Sequence, residues 1–310
     1  MEQWDVVIVG GGAAGLSAAL MLGRARRRVV VVDAGLPRNR FAAHMHGVLG
    51  SEGVAPADFL PGGRDEVARY GVQFAEGTVD RVDDSDDGVI VTVDAGRVLH
   101  ARALIVATGL TDRLPEVRGL AERWGTTVLH CPYCHGWEVR DRRLGVLTTS
   151  PLGMHQAQLV RQWSDDVVVF TAGIGQLDAE TTARLQSRGI ELEASPIVEI
   201  IGQGTDIDAV RTDDGRLIAV DAMFVASTPE PNDGFVQHLD LDRSETPMGS
   251  FLAVDAWGKT SHDRVWAIGN VSNPGATVPM AVGAGATAGG MVNMALVTED
   301  FDVAARVPVA

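Results

Sequence analysis

Asp5-Val6-Val7-Ile8-Val9-Gly10-Gly11-Gly12-Ala13-Ala14-Gly15 is the stretch on which the fold turns. An apolar strand pattern from Asp5 to Val9 runs straight into G-x-G-x-x-G, and a helix-like run from Leu16 to Leu22 follows. Gly10 permits the tight turn, Gly12 lets the backbone come close to a pyrophosphate, and Gly15 lets the helix pack against the strand. The helix N-terminus then offers unpaired N–H groups to the anion, and Ala13 and Ala14 within the motif are placed among the cofactor's neighbours. A second apolar strand, Val29 to Val32, closes on Asp33-Ala34, and an acid there suits a ribose 2′-hydroxyl. Strand, glycines, helix, strand and acid in this order predict a dinucleotide-binding α/β domain.

The rest of the composition agrees with a globular chain. With 310 residues, 45% of them hydrophobic, there is material for two cored domains, and 36 glycines with 22% charged residues fit an α/β class. A formal net charge of −15 argues against a nucleic-acid partner, which needs a concentrated basic surface. Arg24, Arg26, Arg27 and Arg28 read as a solvated helix end. Two uncharged stretches do not read as membrane spans. Val6 to Gly23 follows Glu2 and Asp5 and is broken by glycines, while Gly269 to Thr298 is built of Gly, Ala and Thr and reads as a buried helix close to a ligand. No membrane partner is expected, and without an export signal the cytoplasm is the expected compartment.

The two cysteines form Cys131-Pro132-Tyr133-Cys134, just beyond a strand-like segment from Thr126 to Leu129. That number excludes a disulfide scaffold, and the spacing lets both sulfurs close a small ring at a helix start, where a thiolate is favoured. Rival readings exist. With His135 the string matches the C-x-x-C-H of covalent haem attachment, and with His130 and His135 it offers four zinc-type ligands. Haem attachment needs an export context, and neighbours in one short segment seldom complete a tetrahedron. Redox catalysis is therefore favoured and no metal is expected.

Two further strand ends choose among dinucleotides: Ala107-Thr108-Gly109 after the strand from Ala103, and Ala267-Ile268-Gly269-Asn270 after the strand from Val265. In these the chain resembles the two-dinucleotide flavoproteins, specifically low-molecular-weight thioredoxin reductases, over nearly its whole length. The resemblance implies FAD, bound by the first glycine motif and by both strand ends. Asn270 stands where the family usually has Asp, and an amide still hydrogen-bonds the cofactor. Val278-Pro279-Met280 stands where the family has an Arg-Gln pair beside the flavin, implying an apolar edge there. The segment Asn39 to Gly53, with Arg40, His44 and His46, resembles the family's FAD-proximal loop, and Val79 is placed among the cofactor's neighbours.

The implied architecture is α/β with two Rossmann-like domains, the second inserted in the first. Residues 1–114 and 232–310 form the FAD domain, and 115–231 form a degenerate NADPH-type domain that carries the cysteines. A homodimer is implied as well. By the same resemblance Cys134 faces the flavin and Cys131 exchanges with an outside sulfur. The family's acid after the second cysteine becomes His135, which can take a thiol proton; His130 is the alternative base.

The second domain lacks the family's NADPH motif. Its first strand, Arg143 to Leu147, leads into Thr148-Thr149-Ser150-Pro151-Leu152-Gly153, with Pro151 in the turn, and no arginine pair follows the next strand. This looks like the thioredoxin-reductase-like dithiol oxidases that close disulfides in natural products such as holomycin and gliotoxin. The expectation is an FAD-dependent oxidase of a small-molecule dithiol, with O2 as acceptor and H2O2 as product. A thioredoxin-reductase-type disulfide reductase using NADPH or another donor is the alternative, and a flavin-bearing redox sensor is a third class.

Overall fold

The computed structural model describes residues 2–150 and 153–306. By its contacts the chain divides into two compact units, unit 1 being Met1–Arg40, Pro56–Thr111 and Pro229–Ala310, and unit 2 being Phe41–Ala55 and Asp112–Thr228.

Unit 1 is organised on a parallel sheet in the order β3 (Gln73–Glu76), β2 (Val29–Asp33), β1 (Glu2–Val9), β6 (Arg97–Val106), β19 (Val265–Ala267). Strand β1 is parallel-paired on both edges and covered on both faces, so Val6 to Val9 are all buried. This is why the sequence shows an unbroken apolar run rather than alternation. Strands β4 (Val79–Ser85) and β5 (Gly88–Val93) continue the sheet antiparallel from β6. Strands β17 (Arg243–Thr246) and β18 (Gly249–Leu252) form a separate antiparallel pair. The helices are α1 (Ala13–Arg24), α2 (Pro56–Ala68) and α6 (Val278–Arg306).

The composition of α6 has a steric cause. Its buried stripe, Gly285, Ala288, Gly289, Val292 and Leu296, repeats at helical spacing. A Cβ on Gly285 would lie 2.1 Å from the Ala14 carbonyl oxygen, and one on Gly289 would lie 2.8 Å from that of Ala18. Helix α6 thus crosses α1 nearly backbone on backbone, and the Ser17 hydroxyl donates to the Val282 carbonyl at 2.7 Å. Length and composition alone would let α6 cross a membrane; here its small-residue stripe is packed on α1. The helix begins at Val278, since Gly269–Val271 is a separate 3-10 turn.

Unit 2 repeats the parallel arrangement: β11 (Glu191–Glu193), β10 (Val167–Phe170), β9 (Leu144–Leu147), β15 (Ala222–Val225), β8 (Val128–Leu129). An antiparallel sheet, β12 (Ile197–Ile201), β13 (Ala209–Thr212) and β14 (Leu217–Ala219), lies within its span. Its helices are α3 (Pro132–His135), α4 (Gly153–Val160) and α5 (Ala179–Gln186). Strands β7 (Leu110–Arg113) and β16 (Thr228–Pro231) carry the chain from one unit to the other and back.

The observed partition differs from a division at 114/115 and 231/232. The crossings fall at 111/112 and 228/229, and Phe41–Ala55 groups with unit 2 although it lies between the first two chain segments of unit 1. The physical reason is close packing: a Cβ on Gly125 would stand 2.6 Å from the Cβ of Phe41, so the start of this segment rests on the unit 2 backbone. Pro151 and Leu152, assigned above to the nucleotide turn, lie outside the described residues.

The α1–α6 crossing makes two glycines of one helix behave oppositely. Gly285→Val should destabilise by about 1–3 kcal/mol through overpacking. Gly283→Ala, with nothing within 4 Å of the added methyl, should stabilise by about 0.5–1 kcal/mol. Thermal or urea unfolding of the two variants measures both, and equal effects would contradict the crossing.

Candidate functional site

In unit 1 the glycine motif forms a tight platform. Gly10 has φ +107°, and a Cβ there would lie 2.4 Å from the Ala107 carbonyl oxygen, where β1 and β6 end side by side. A Cβ on Gly15 would lie 1.9 Å from the Gly10 carbonyl oxygen, so α1 starts directly on the turn. Gly12 is the N-cap of α1 and faces open space, with nothing within 4 Å of a built Cβ. Ala13 opens the helix and Ala14 is buried behind it, next to Gly269, whose own Cβ would come 3.1 Å from that of Ala14.

Around this platform lie groups suited to a dinucleotide. The Thr108 hydroxyl is buried and has no hydrogen-bond partner among the described residues, and Gly109 takes φ +68°. The Thr108 carbonyl accepts from the Asn232 amide at 3.2 Å, and Asn232 N–H donates to the Gly109 carbonyl at 3.1 Å. An orphaned buried hydroxyl just past β6, together with the open N-terminus of α1 at Gly12, fits a polar, anionic ligand at this end of the sheet.

Asp33 lies where the motif puts it. One carboxylate oxygen accepts from Gly11 N–H at 3.0 Å, and the other accepts from the Arg64 guanidinium. Arg64 was not legible as a site residue, because α2 brings it to Asp33 from a distant part of the chain and its planar cation also covers the Phe74 ring at 5.1 Å. Ala34 and Arg40 are exposed, and Arg40 donates to the Pro37 carbonyl at 3.0 Å. Val79 is a core residue of β4 in register with Val93. Val278 and Met280 begin α6, Met280 being 51% exposed.

Asn270 does something an aspartate could not. Its amide nitrogen donates to the carbonyls of Asn273, Pro274 and Ala276 at 3.1, 3.2 and 2.9 Å. Arg38 adds a contact to the Pro274 carbonyl at 3.3 Å. The amide therefore folds its own loop, and its oxygen is what it can turn toward a ligand.

In unit 2, edge strand β8 runs into His130 and the redox pair. Cys131 and Cys134 are joined as a disulfide with Cα atoms 5.2 Å apart. Cys131 caps α3: its sulfur accepts from Cys134 N–H at 3.2 Å, and Pro132 supplies the first helical residue. When the pair is reduced, that N–H favours the Cys131 thiolate, the form that attacks a disulfide. Gly136 is obligatory, since a Cβ there would meet the Trp163 ring at 2.6 Å. Trp163 in turn holds Tyr133 edge-on at 5.7 Å.

His135 is largely buried, and burial pushes its pKa below the usual 6.5. Glu138 opposes that shift, while His46 and His130 reinforce it. His46 belongs with this group in unit 2. Its ring stands edge-to-face with His135 at 6.4 Å, its Nδ1 is 2.7 Å from Glu52, and its Nε2 is 3.5 Å from Glu138. Glu52 and Glu138 were not singled out in the sequence; the recurrence of His and Glu in two distant segments was the only signal. His44 is tied to the Gly53 carbonyl at 3.0 Å within its own loop. His130 packs near Trp124, and its carbonyl accepts from the Gln156 amide at 2.6 Å.

The two threonines that follow β9 have their hydroxyls taken up internally. The Thr148 hydroxyl donates to the Phe170 carbonyl at 2.7 Å, and Thr149 donates to that of Ala226 at 2.9 Å. Gly173 is backed onto the Thr148 carbonyl, which a Cβ would meet at 2.3 Å. Thr171 to Asp178 contains no Lys or Arg. Beyond β11, Arg216 is held by Glu193 at 2.7 and 2.9 Å and by Asp214 at 2.8 Å, and this guanidinium drives Glu193 down to about 2.

Known proteins match these features along the chain. The model of the pyridine nucleotide-disulphide oxidoreductase family matches residues 4–285. Thioredoxin reductase tcpT of Claviceps purpurea (strain 20.1) is 31% identical, covering 95% of this chain and 95% of its own. Among solved structures, HlmI superposes with a TM-score of 0.93 at 42% identity, over 98% of this chain and 96% of that one. An oxidoreductase from Agrobacterium tumefaciens gives 0.91 at 40%, over 96% and 99%. The chain belongs to the pyridine nucleotide-disulphide oxidoreductase family, as a thioredoxin-reductase-like flavoprotein acting on thiols and disulfides.

Proposed function

We propose that this protein is a cytoplasmic FAD-dependent dithiol oxidase that closes a disulfide in a small-molecule dithiol, with O2 reduced to H2O2. The observation that carries the direction is the turn after β9. The Thr148 and Thr149 hydroxyls there already donate to the Phe170 and Ala226 carbonyls, and the nearest downstream loop is without a cation. Electrons therefore enter from the thiol side. Overall, R(SH)2 + O2 gives RS2 + H2O2.

The residues divide the work as follows. His135, kept neutral by burial, takes a proton from an incoming thiol. The resulting thiolate attacks Cys131, the bond to Cys134 opens, and the substrate's second thiol displaces Cys131 as its own disulfide closes. Cys131 and Cys134 are left reduced. The cofactor that Gly10, Gly12, Gly15, Thr108, Gly269 and Asn270 would hold, FAD, supplies a two-electron acceptor that O2 can regenerate. The retained dinucleotide-type sheet order of unit 2 and the relative's name favour a second reading, a disulfide reductase fed by NADPH or another donor.

Anaerobic mixing of the flavin-loaded protein separates the two readings. Dithiothreitol should bleach the flavin, and readmitted air should restore its colour with release of peroxide. Rapid bleaching by micromolar NADPH instead would overturn the oxidase reading.

Cys134→Ser should keep bound flavin while losing dithiol-driven bleaching, measured by stopped-flow absorbance; normal turnover in that variant would rule out the cysteine relay.

The lowered pKa of His135 sets the pH dependence. A base held below 6.5 stays unprotonated at neutral pH, so the acid limb of kcat/KM should fall below pH 6.5. His135→Ala should abolish that limb and slow dithiol oxidation roughly a hundredfold. The linkage has the same sign: between the lowered folded value and 6.5 the unfolded chain binds more protons, so this group's contribution to stability declines as pH falls through that window.

A further inference from the structure

His46 was expected beside the flavin, yet its contacts in unit 2 are all with the redox helix and its own loop. That loop is closed on itself. Met45 N–H donates to the Val54 carbonyl at 3.0 Å, Gly53 N–H donates to that of Met45 at 3.0 Å, and Glu52 accepts Gly47 N–H at 2.8 Å. The closure folds Glu52 back onto His46. Each ring nitrogen of His46 then faces a carboxylate, Glu52 at 2.7 Å and Glu138 at 3.5 Å. Both nitrogens can donate together only when the ring carries two protons.

Glu138 is the shared group. It lies three residues beyond His135 and acts electrostatically on that ring as well as on His46. A carboxylate facing His135 alone would favour the imidazolium and spoil it as a base. We propose that His46, clamped between Glu52 and Glu138, is a positioning residue that engages the Glu138 carboxylate and so leaves His135 free to accept a thiol proton.

The charged and titratable groups acting on His135 are Glu138 beyond α3, His46 from the 41–55 loop and His130 at the end of β8. Helix α4, which packs on α3, contributes buried Gln156, while its one titratable residue, His155, is exposed. The clamp rests on the reading of His135 as the thiol base, but its effect on His135 is measurable without turnover.

The test is an NMR titration of the His135 imidazole in the flavin-loaded protein, paired with the pH profile of dithiol oxidation. In His46→Gln the His135 midpoint and the acid limb should both move up by about 0.5–1 in pH. In Glu138→Gln both should move down. His46→Arg, which places a fixed cation between the two carboxylates, should restore the wild-type midpoint. If the His135 midpoint is the same in wild type, His46→Gln and Glu138→Gln, the clamp is overturned, as it is if both variants move it the same way. Midpoints that move as described in a protein that forms no peroxide would uphold the clamp and sink the oxidase reading instead.

Discussion

One steric crossing organises unit 1: the backbone around Ala14 is approached so closely that side chains are excluded on several sides. Gly10 abuts the Ala107 carbonyl, Gly15 abuts the Gly10 carbonyl, Gly285 abuts the Ala14 carbonyl, and Gly269 faces the Ala14 methyl. Strands β1 and β6, helix α1 and helix α6 therefore converge on one point, and the dispersion gained there requires hydrogen in place of a methyl on each approaching backbone. The open space at Gly12 is the counterpart of this crowding. Gly10, Gly11 and Gly15 are each closed in by protein, so within that motif Gly12 alone looks outward, at the positive end of α1.

Unit 2 uses the same parallel order for another purpose. In unit 1 the carboxyl ends of the central strands present glycines and an unsatisfied hydroxyl. In unit 2 the Thr148 and Thr149 hydroxyls after β9 are bonded from within, and edge strand β8 leads through His130 to the cysteine pair. An edge strand at the carboxyl end of a parallel sheet is a rigid support for a short reactive helix. The fold thus constrains where Cys131 and Cys134 lie, and the local sequence Cys-Pro-Tyr-Cys-His decides what they do.

The parts legible in the sequence were those whose cause is local. The glycine motif after an apolar strand, the acid at Asp33 and the cysteine spacing each follow from a few consecutive residues, and the structure arranges them accordingly. What escaped depends on pairing across the chain. Arg64 reaches Asp33 from α2, and the Phe41–Ala55 segment groups with unit 2 because of Gly125. His46 was associated with the cofactor, whereas its ring lies between Glu52 and Glu138 beside His135. No periodicity encodes a carboxylate brought back by a closed loop. Asn270 belongs to both classes: its position was readable from the strand end, but its three carbonyl acceptors lie in a turn whose geometry had no sequence signal.

That turn has a thermodynamic side. A loop that must order around an incoming cofactor loses conformational freedom at the moment of binding, and the affinity falls accordingly. Here Asn270 ties the residues from Asn273 to Ala276 to itself, and Arg38 adds a further tie to Pro274, through bonds that need no cofactor. These bonds order the loop at the folding step, before any ligand arrives. A surface shaped in advance loses less conformational freedom to whatever it holds.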